Sequence, residues 1–422
     1  MKGWKKMLAR LRNKLSPLSA VVWTQFLSAF SDNLNFFLIV GLVKREGASD
    51  PDGTVTYIQM AFLIAYVVLA PVVGAFADKN SKTHVLLTGN LLKATGILLL
   101  LLGVPPAFCY FFVGIGAVVY SPGKYGILTE LTRSEGELLR ANAQVEGSTI
   151  LAILLGTVAG GFLAAHSDLP AILTCLFIYL LSLAMTFLVP VRAGNPRIRY
   201  GQAAGQFFSD VGKLFANRRS RFSLIGTGAF WLTASVLRIA LIAWLPLNLG
   251  IENTDQQSMI IGVTALGVVG SAFLTPKFVP EGKLYRSFFY GIAMVGAVMA
   301  ANFTHEVWAT VVLLFLTGVM GGIFLIPLNT MLQEEGKTAI GPGRTIAVQN
   351  FIENSLTVVG LFLYLTLRKM DVPVNDSVIG IGVILTLFFV YLATQIRAVR
   401  RSYSPAHINE VAASGQVSHA KK

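Results

Sequence analysis

The amino-acid sequence predicts an all-α integral membrane protein of twelve transmembrane helices, and three observations carry that prediction. Of its 422 residues, 54% are hydrophobic and only 13% are charged, and the mean hydropathy of +0.65 lies far above that of a soluble domain. Twelve stretches are long enough to cross a bilayer, which takes about 20 apolar residues each. Lysine and arginine concentrate in alternate connections between them.

The stretches lie near 17–43, 57–77, 84–103, 107–131, 141–165, 169–190, 222–249, 257–279, 287–303, 307–333, 345–367 and 374–396. Barrel strands would read as short alternating segments, whereas the runs starting at Ile97 and Val311 are continuously apolar. Lys2, Lys5, Lys6, Arg10, Arg12 and Lys14 precede the first span, and Arg397, Arg400 and Arg401 follow the last. Arg192, Arg197, Arg199, Lys213, Arg218, Arg219 and Arg221 lie between the sixth and seventh, while the opposite connections hold only Lys44, Arg45, Arg368 and Lys369. Both termini are therefore expected on the cytoplasmic side of the membrane. The net charge of +13 reads as a topology signal, and no basic surface with a recognition helix points to nucleic acid. The apolar run from Pro17 to Val43 is too long for a signal peptide. Cys109 and Cys175 show no metal-ligand or CxxC spacing, so no metal, cofactor or structural disulfide is expected.

The polar stretch from Arg192 to Arg221 divides the spans six and six. The expected organisation is a basic N-terminus (1–16), a six-helix bundle (17–191), a cytoplasmic linker (192–221), a second six-helix bundle (222–398) and a cytoplasmic tail (399–422) that reads as disordered. Pro122 and Pro327, in the fourth and tenth spans, are 205 residues apart, as are Gln144 and Gln349 in the fifth and eleventh; Asp32 and Arg238 differ by 206. Such offsets suit two parallel repeats around a central cavity, the arrangement of the major facilitator superfamily. After the second span, Gly74, Asp78, Lys79 and Lys82 resemble that superfamily's gating signature, with Ser81 where a glycine is usual. There Gly lets helices approach closely and Asp caps or pairs at a helix end.

Charges in apolar spans are costly and normally face a partner or a water-filled path. Gln25, Ser28, Asp32 and Asn35 form one stripe of the first span at helical period, a face expected to line the cavity. Asp32 there is a functional carboxylate or a packing group. In the seventh span Thr227, Trp231, Ala234 and Arg238 share a face, and Arg238 suits a phosphate through its bidentate fork or serves to neutralise Asp32. Lys124, after the helix-kinking Pro122, is a second cation for the site or a side chain snorkelling to the interface. The role of Lys93 stays open. Glu146, beside Asn142 and Thr149, is a solvated acid near a helix start or a functional one. Glu353, with Gln349, Asn350 and Asn354, lies deeper. Interior charges of both signs fit a zwitterionic or anionic amphiphile.

Five segments, Gln25 to Asn33, Tyr120 to Leu128, Arg221 to Thr227, Gly318 to Asn329 and Ala347 to Ser355, closely resemble the bacterial lysophospholipid transporter family LplT. The resemblance runs from Gln25 to the last span, with Ser31 and Gly123 replacing other small residues. It implies a flippase that moves lysophospholipids, especially lysophosphatidylethanolamine, from the outer to the inner leaflet by alternating access. A cytoplasmic-side lysophospholipid acyltransferase would then rebuild the diacyl lipid. By motif position it carries over Asp32, Lys124, Arg238 and Glu353. The expected pose sets the phosphate on Arg238 or Lys124 and the amine on Asp32 or Glu353, with Asp32 and Arg238 facing one another. Gln25, Asn33, Glu146, Gln349, Asn350 and Trp231 complete the expected site of a monomer. The alternative is a proton-coupled major facilitator exporter of drugs or amphiphilic metabolites. An enzyme is not expected: GxSxG is absent, no histidine begins an HxxxxD motif, and Met331 replaces the upstream glycine that Gly336-Lys337-Thr338 would need as a phosphate loop.

Overall fold

Long apolar segments satisfy their backbone groups internally as helices when they lie in lipid, and thirteen α-helices make up the described part of this chain. The computed structural model describes residues 15–45, 51–251 and 254–402. The first six helices are α1 (Pro17–Arg45), α2 (Pro51–Lys79), α3 (Lys82–Leu101), α4 (Pro106–Leu131), α5 (Glu135–His166) and α6 (Asp168–Thr186). Helix α7 (Tyr200–Ala216) occupies the linker. The remaining six are α8 (Arg218–Leu249), α9 (Thr254–Phe278), α10 (Ser287–Asn302), α11 (Val307–Ala339), α12 (Pro342–Lys369) and α13 (Val374–Ser402). Twelve segments among the described residues are long and apolar enough to span a membrane, one at each helix but α7, that at α10 including the preceding 3-10 turn Leu284–Arg286.

Several helices outrun their apolar stretches because polar caps start them early. Ser134 accepts the Glu137 N–H at 3.2 Å and starts α5 at Glu135, upstream of the expected 141. Asn217 accepts from the N–H groups of Arg219 and Ser220 at 2.8 and 3.1 Å and starts α8 at Arg218. Such caps satisfy donors that a helix start otherwise leaves orphaned. Helix α11 likewise continues to Ala339, past the expected 333.

The linker departs furthest from expectation. Phe207, Val211, Leu214 and Phe215 fall on one face of α7 and pack on Ala70 of α2, Leu224 of α8, Leu332 of α11 and Val348 of α12. An amphipathic helix thus ties the two sets of six together where a polar connection was expected. The basic N-terminus before Leu15 and the tail beyond Ser402 lie outside the described residues.

Helix packing repeats between the two sets. Helix α1 packs on α5 and α6, α4 on α2 and α3, and α3 on α6; in the same order α8 packs on α12 and α13, α11 on α9 and α10, and α10 on α13. Across the sets, α2 meets α12 and α5 meets α9, while α4 meets α12 and α5 meets α11. Helices α1 and α8 are not among the packed pairs. The sets are joined most closely at the end bearing the linker.

Candidate functional site

The joint at the linker end begins with close backbone approach. A Cβ on Gly74 would lie 2.7 Å from Arg344 Cα and 2.9 Å from Ala347 Cβ on α12, so only glycine allows α2 to lie there. One turn on, Asp78 accepts the backbone N–H of Gly343 at 2.6 Å and of Arg344 at 3.0 Å. Lys82 holds the same carboxylate at 2.8 Å. Arg344 reaches on to Asp210 of α7 at 2.9 Å, and Lys79 lies 4.3 Å over the Tyr200 ring. All four signature residues therefore sit at one joint, and α7 is part of it. A neighbouring cluster joins Arg219 to Glu335 at 3.2 Å and to Glu135 at 3.7 Å, and Lys337 donates to the Thr129 carbonyl at 2.7 Å.

Deeper in, amides and carboxylates bridge the sets. Asn142 and Gln333 exchange reciprocal amide hydrogen bonds of 3.2 and 2.9 Å between α5 and α11. Glu146, 2% exposed, accepts from the Tyr125 hydroxyl at 2.5 Å and from Asn329 of α11 at 3.2 Å. Gln349 donates to both Asn329 and Glu353 at 2.7 Å, and Asn350 donates to Ser121 of α4 at 2.9 Å. Because α5 begins at Glu135, Glu146 lies about three turns inside it; it is buried, and the solvated acid near a helix start is overturned. Lys124, buried, stands 4.0 Å over the Tyr125 ring and interacts electrostatically with Glu146 and Glu353. It does not snorkel to an interface.

The stripe on α1 turns inward to its own set and does not open onto the boundary between sets. Gln25 donates to Thr149 of α5 at 2.9 Å and Ser28 to Asn90 of α3 at 2.9 Å. Asn35 is fully buried, with neither side-chain polar atom partnered among the described residues. Asn33 bonds its own helix, at the Ala29 carbonyl. Asp32 receives Lys93 of α3 at 2.7 Å on one oxygen and the Tyr179 hydroxyl of α6 at 2.6 Å on the other. Asp32 and Arg238 form no ion pair with one another among the described residues: α3 supplies the cation for Asp32, and Arg238 lies on a helix that is not among those packed on α1. Arg238 is exposed, and it makes no ion pair among the described residues. Trp231, half-buried on the same helix, stacks edge-on with Phe230 at 5.4 Å.

The structure thus brings Lys124, Glu146, Gln349, Asn350 and Glu353 into one polar core, groups Gly74, Asp78, Lys79 and Lys82 at one joint, and leaves Asp32 and Arg238 apart. Sequence reasoning missed Arg344, Asp210, Tyr125, Tyr179 and Gln333. Only the periodic apolar face of α7 offered a readable signal for one of them, Asp210.

Two repeated six-helix sets, joined at one end around buried charges, define a membrane carrier of the major facilitator type. The Major Facilitator Superfamily model matches residues 21–361. Among solved structures, the human organic anion transporter MFSD10 superposes with a TM-score of 0.72 at 16% identity, covering 90% of this chain and 100% of that one. The fucose:proton symporter FucP of Escherichia coli gives 0.69 at 14% identity, with 90% and 98% covered. In sequence, the lysophospholipid transporter LplT of Photorhabdus laumondii is 38% identical over 374 residues, 88% of this chain and 93% of its own length. That of Salmonella arizonae is 39% identical over 372 residues, 87% and 92% of the two chains. The chain belongs to the major facilitator superfamily and, within it, to the family of the LplT transporters.

Proposed function

We propose that the chain moves lysophospholipids, lysophosphatidylethanolamine among them, from the outer to the inner leaflet of a bacterial inner membrane, without chemistry of its own. The observation that carries this reading is Arg238, an exposed residue without an ion-pair partner among the described residues, within a helix that crosses the membrane. A charge so placed marks a path for a charged guest, and a planar fork suits a phosphate. Relatives at 38 to 39% identity bear the name lysophospholipid transporter, which supports the same guest. The acyl chain stays against apolar helix faces while the headgroup follows the polar core. A site reached from the far side while the linker end is closed, then from the linker side once that joint opens, delivers the headgroup by alternating access. The termini and linker lie in the cytoplasm, where basic segments are retained. A monomer suffices, and an acyltransferase on that side consumes the delivered lipid.

The test is uptake of labelled lysophosphatidylethanolamine, lysophosphatidylglycerol and lysophosphatidylcholine by proteoliposomes holding the full chain, with and without imposed proton or sodium gradients. Accumulation of at least one lysolipid above protein-free vesicles supports the reading; none, with folded protein, overturns it. Movement of protons with a non-lipid substrate favours the exporter alternative.

A further inference from the structure

We propose that Lys93 is a positioning residue that withdraws Asp32 from headgroup recognition, so that the amine of a zwitterionic guest is met by Glu353. The inference rests on the proposed lysolipid function for its guest, but its geometry stands apart from it. Lys93 is 2% exposed, and its ammonium is fully engaged: it donates to Ser28 Oγ at 2.9 Å and Asp32 Oδ2 at 2.7 Å, and lies 4.9 Å over the Tyr120 ring. It is held by α1 and α4 and has no free donor to offer a guest.

Asp32 is committed in turn. Both its oxygens carry short hydrogen bonds, from Lys93 and from Tyr179, and only 24% of its side chain is exposed. The surrounding hydroxyls are spoken for as well, since Ser28 donates to Asn90, and Asn90 donates to Ser182 at 2.9 Å. Asp32 and Lys93 cancel one another inside the first six helices. An amine arriving at Asp32 would have to displace a buried ammonium and leave it unpaired, and stripping one partner from a buried pair is among the costliest single changes.

Glu353, itself buried, differs in its pairing. It makes no ion pair among the described residues, its hydrogen bonds come from neutral groups, the Gln349 amide and the Thr227 hydroxyl, and it lies on α12, which packs on α2 and α4 of the other set. Once Asp32 and Lys93 are set aside, Arg238 and Lys124 are left to meet the phosphate and Glu353 to meet the amine.

The experiment compares uptake of labelled lysophosphatidylethanolamine with that of lysophosphatidylglycerol, which lacks the amine, in proteoliposomes. The variants are Lys93→Met, Lys93→Arg, Glu353→Gln, Asp32→Asn and the double variant Asp32→Asn with Lys93→Met, each checked for a monodisperse elution profile. Lys93→Met is expected to lower uptake of both lipids about tenfold or more, because it leaves Asp32 buried and unpaired. Lys93→Arg keeps the charge and recovers part of it. The double variant, neutral throughout, is expected to recover both lipids to within about threefold of the unchanged chain, the two substitutions compensating as contacting pairs do. Its preference between the lipids stays that of the unchanged chain, while Glu353→Gln raises KM for the ethanolamine lipid alone.

A folded double variant that recovers lysophosphatidylglycerol but not lysophosphatidylethanolamine overturns the proposal, because Asp32 is then the amine's ligand. So does a folded double variant as inactive as Lys93→Met toward both. If neither Lys93 variant accumulates, Asp32→Asn decides: an unchanged lipid preference supports the proposal, and a shift toward the glycerol lipid overturns it. If the unchanged chain moves no lysolipid, it is the proposed function that fails. The pairing is then read from melting temperature, where Lys93→Met must fall well below the double variant for the proposal to stand.

Discussion

The Asp78 carboxylate at the end of α2 accepts the backbone N–H of Gly343 at 2.6 Å, so one set of helices caps a helix of the other. Helix α12 has no side-chain cap of its own, being preceded by Gly341 at a φ of 102°. Its first turn therefore depends on an acid supplied from across the boundary. An anion in a partly buried place at a helix N-terminus is worth up to ~2 kcal/mol. Asp78→Asn keeps the shape but removes the charge and loosens its hold on Lys82 and Arg344. The expected outcome is a linker end that opens more often. A cysteine placed at Ala143, 2% exposed on α5, in a chain with Cys109 and Cys175 replaced by serine, should react faster with a thiol reagent added from the linker side. Equal reaction rates with and without Asp78→Asn would show that the cap does not hold the joint.

The approach of α2 to α12 at Gly74 gives a prediction of opposite kind. A side chain there meets Arg344 Cα at 2.7 Å, and backbone cannot step aside as a flexible side chain would. Gly74→Val is expected to abolish transport while the protein still inserts, with the Ala143 cysteine accessible from the linker side whether or not lipid is present. Normal transport by Gly74→Val would mean that the two helices need not come this close in any working state.

The Asn142 and Gln333 amides test whether the boundary is held by neutral hydrogen bonds as well as by charge. Removing one partner leaves the other buried and unsatisfied, at a cost of about 1–3 kcal/mol. Asn142→Ala and Gln333→Ala should each lower thermal stability, and the double variant should lose less than the two together, as coupled neighbours do. Thermal unfolding in detergent reads all three. Additive losses would place the two amides in unrelated roles.

How far the fold was legible follows from these same elements. The twelve spans were readable because a bilayer demands long apolar runs, and nothing else in the chain imitates them. Helix α7 was not, since its apolar residues are interleaved with polar ones on the opposite face and form no continuous run of spanning length. Glu146 was placed too near a helix end because a cap at Ser134, and not the apolar run, decides where α5 begins. The partner of Asp32 was out of reach for a different reason: the offset to Arg238 relates equivalent positions in two repeats, but ion pairs follow adjacency, and α3 is the neighbour of α1. Lys93 stood in view with its role unassigned, because a single cation in an apolar run does not say which helix it faces.

Arg238 offers the sharpest separation of charge from geometry. It is exposed and unpaired among the described residues on a spanning helix, so its substitution should disturb packing little. Arg238→Ala is expected to abolish lysolipid uptake in spheroplasts while the protein accumulates normally. Arg238→Lys keeps the positive charge but replaces a planar fork by a point charge that cannot pair bidentately. Weaker phosphate binding with the path intact should appear as a raised KM and little change in maximal rate, since binding lost equally in ground and transition states moves KM alone. A lysine variant indistinguishable from the unchanged chain would show that charge, not the fork, draws the headgroup. Full uptake by Arg238→Ala would remove Arg238 from the transport path altogether.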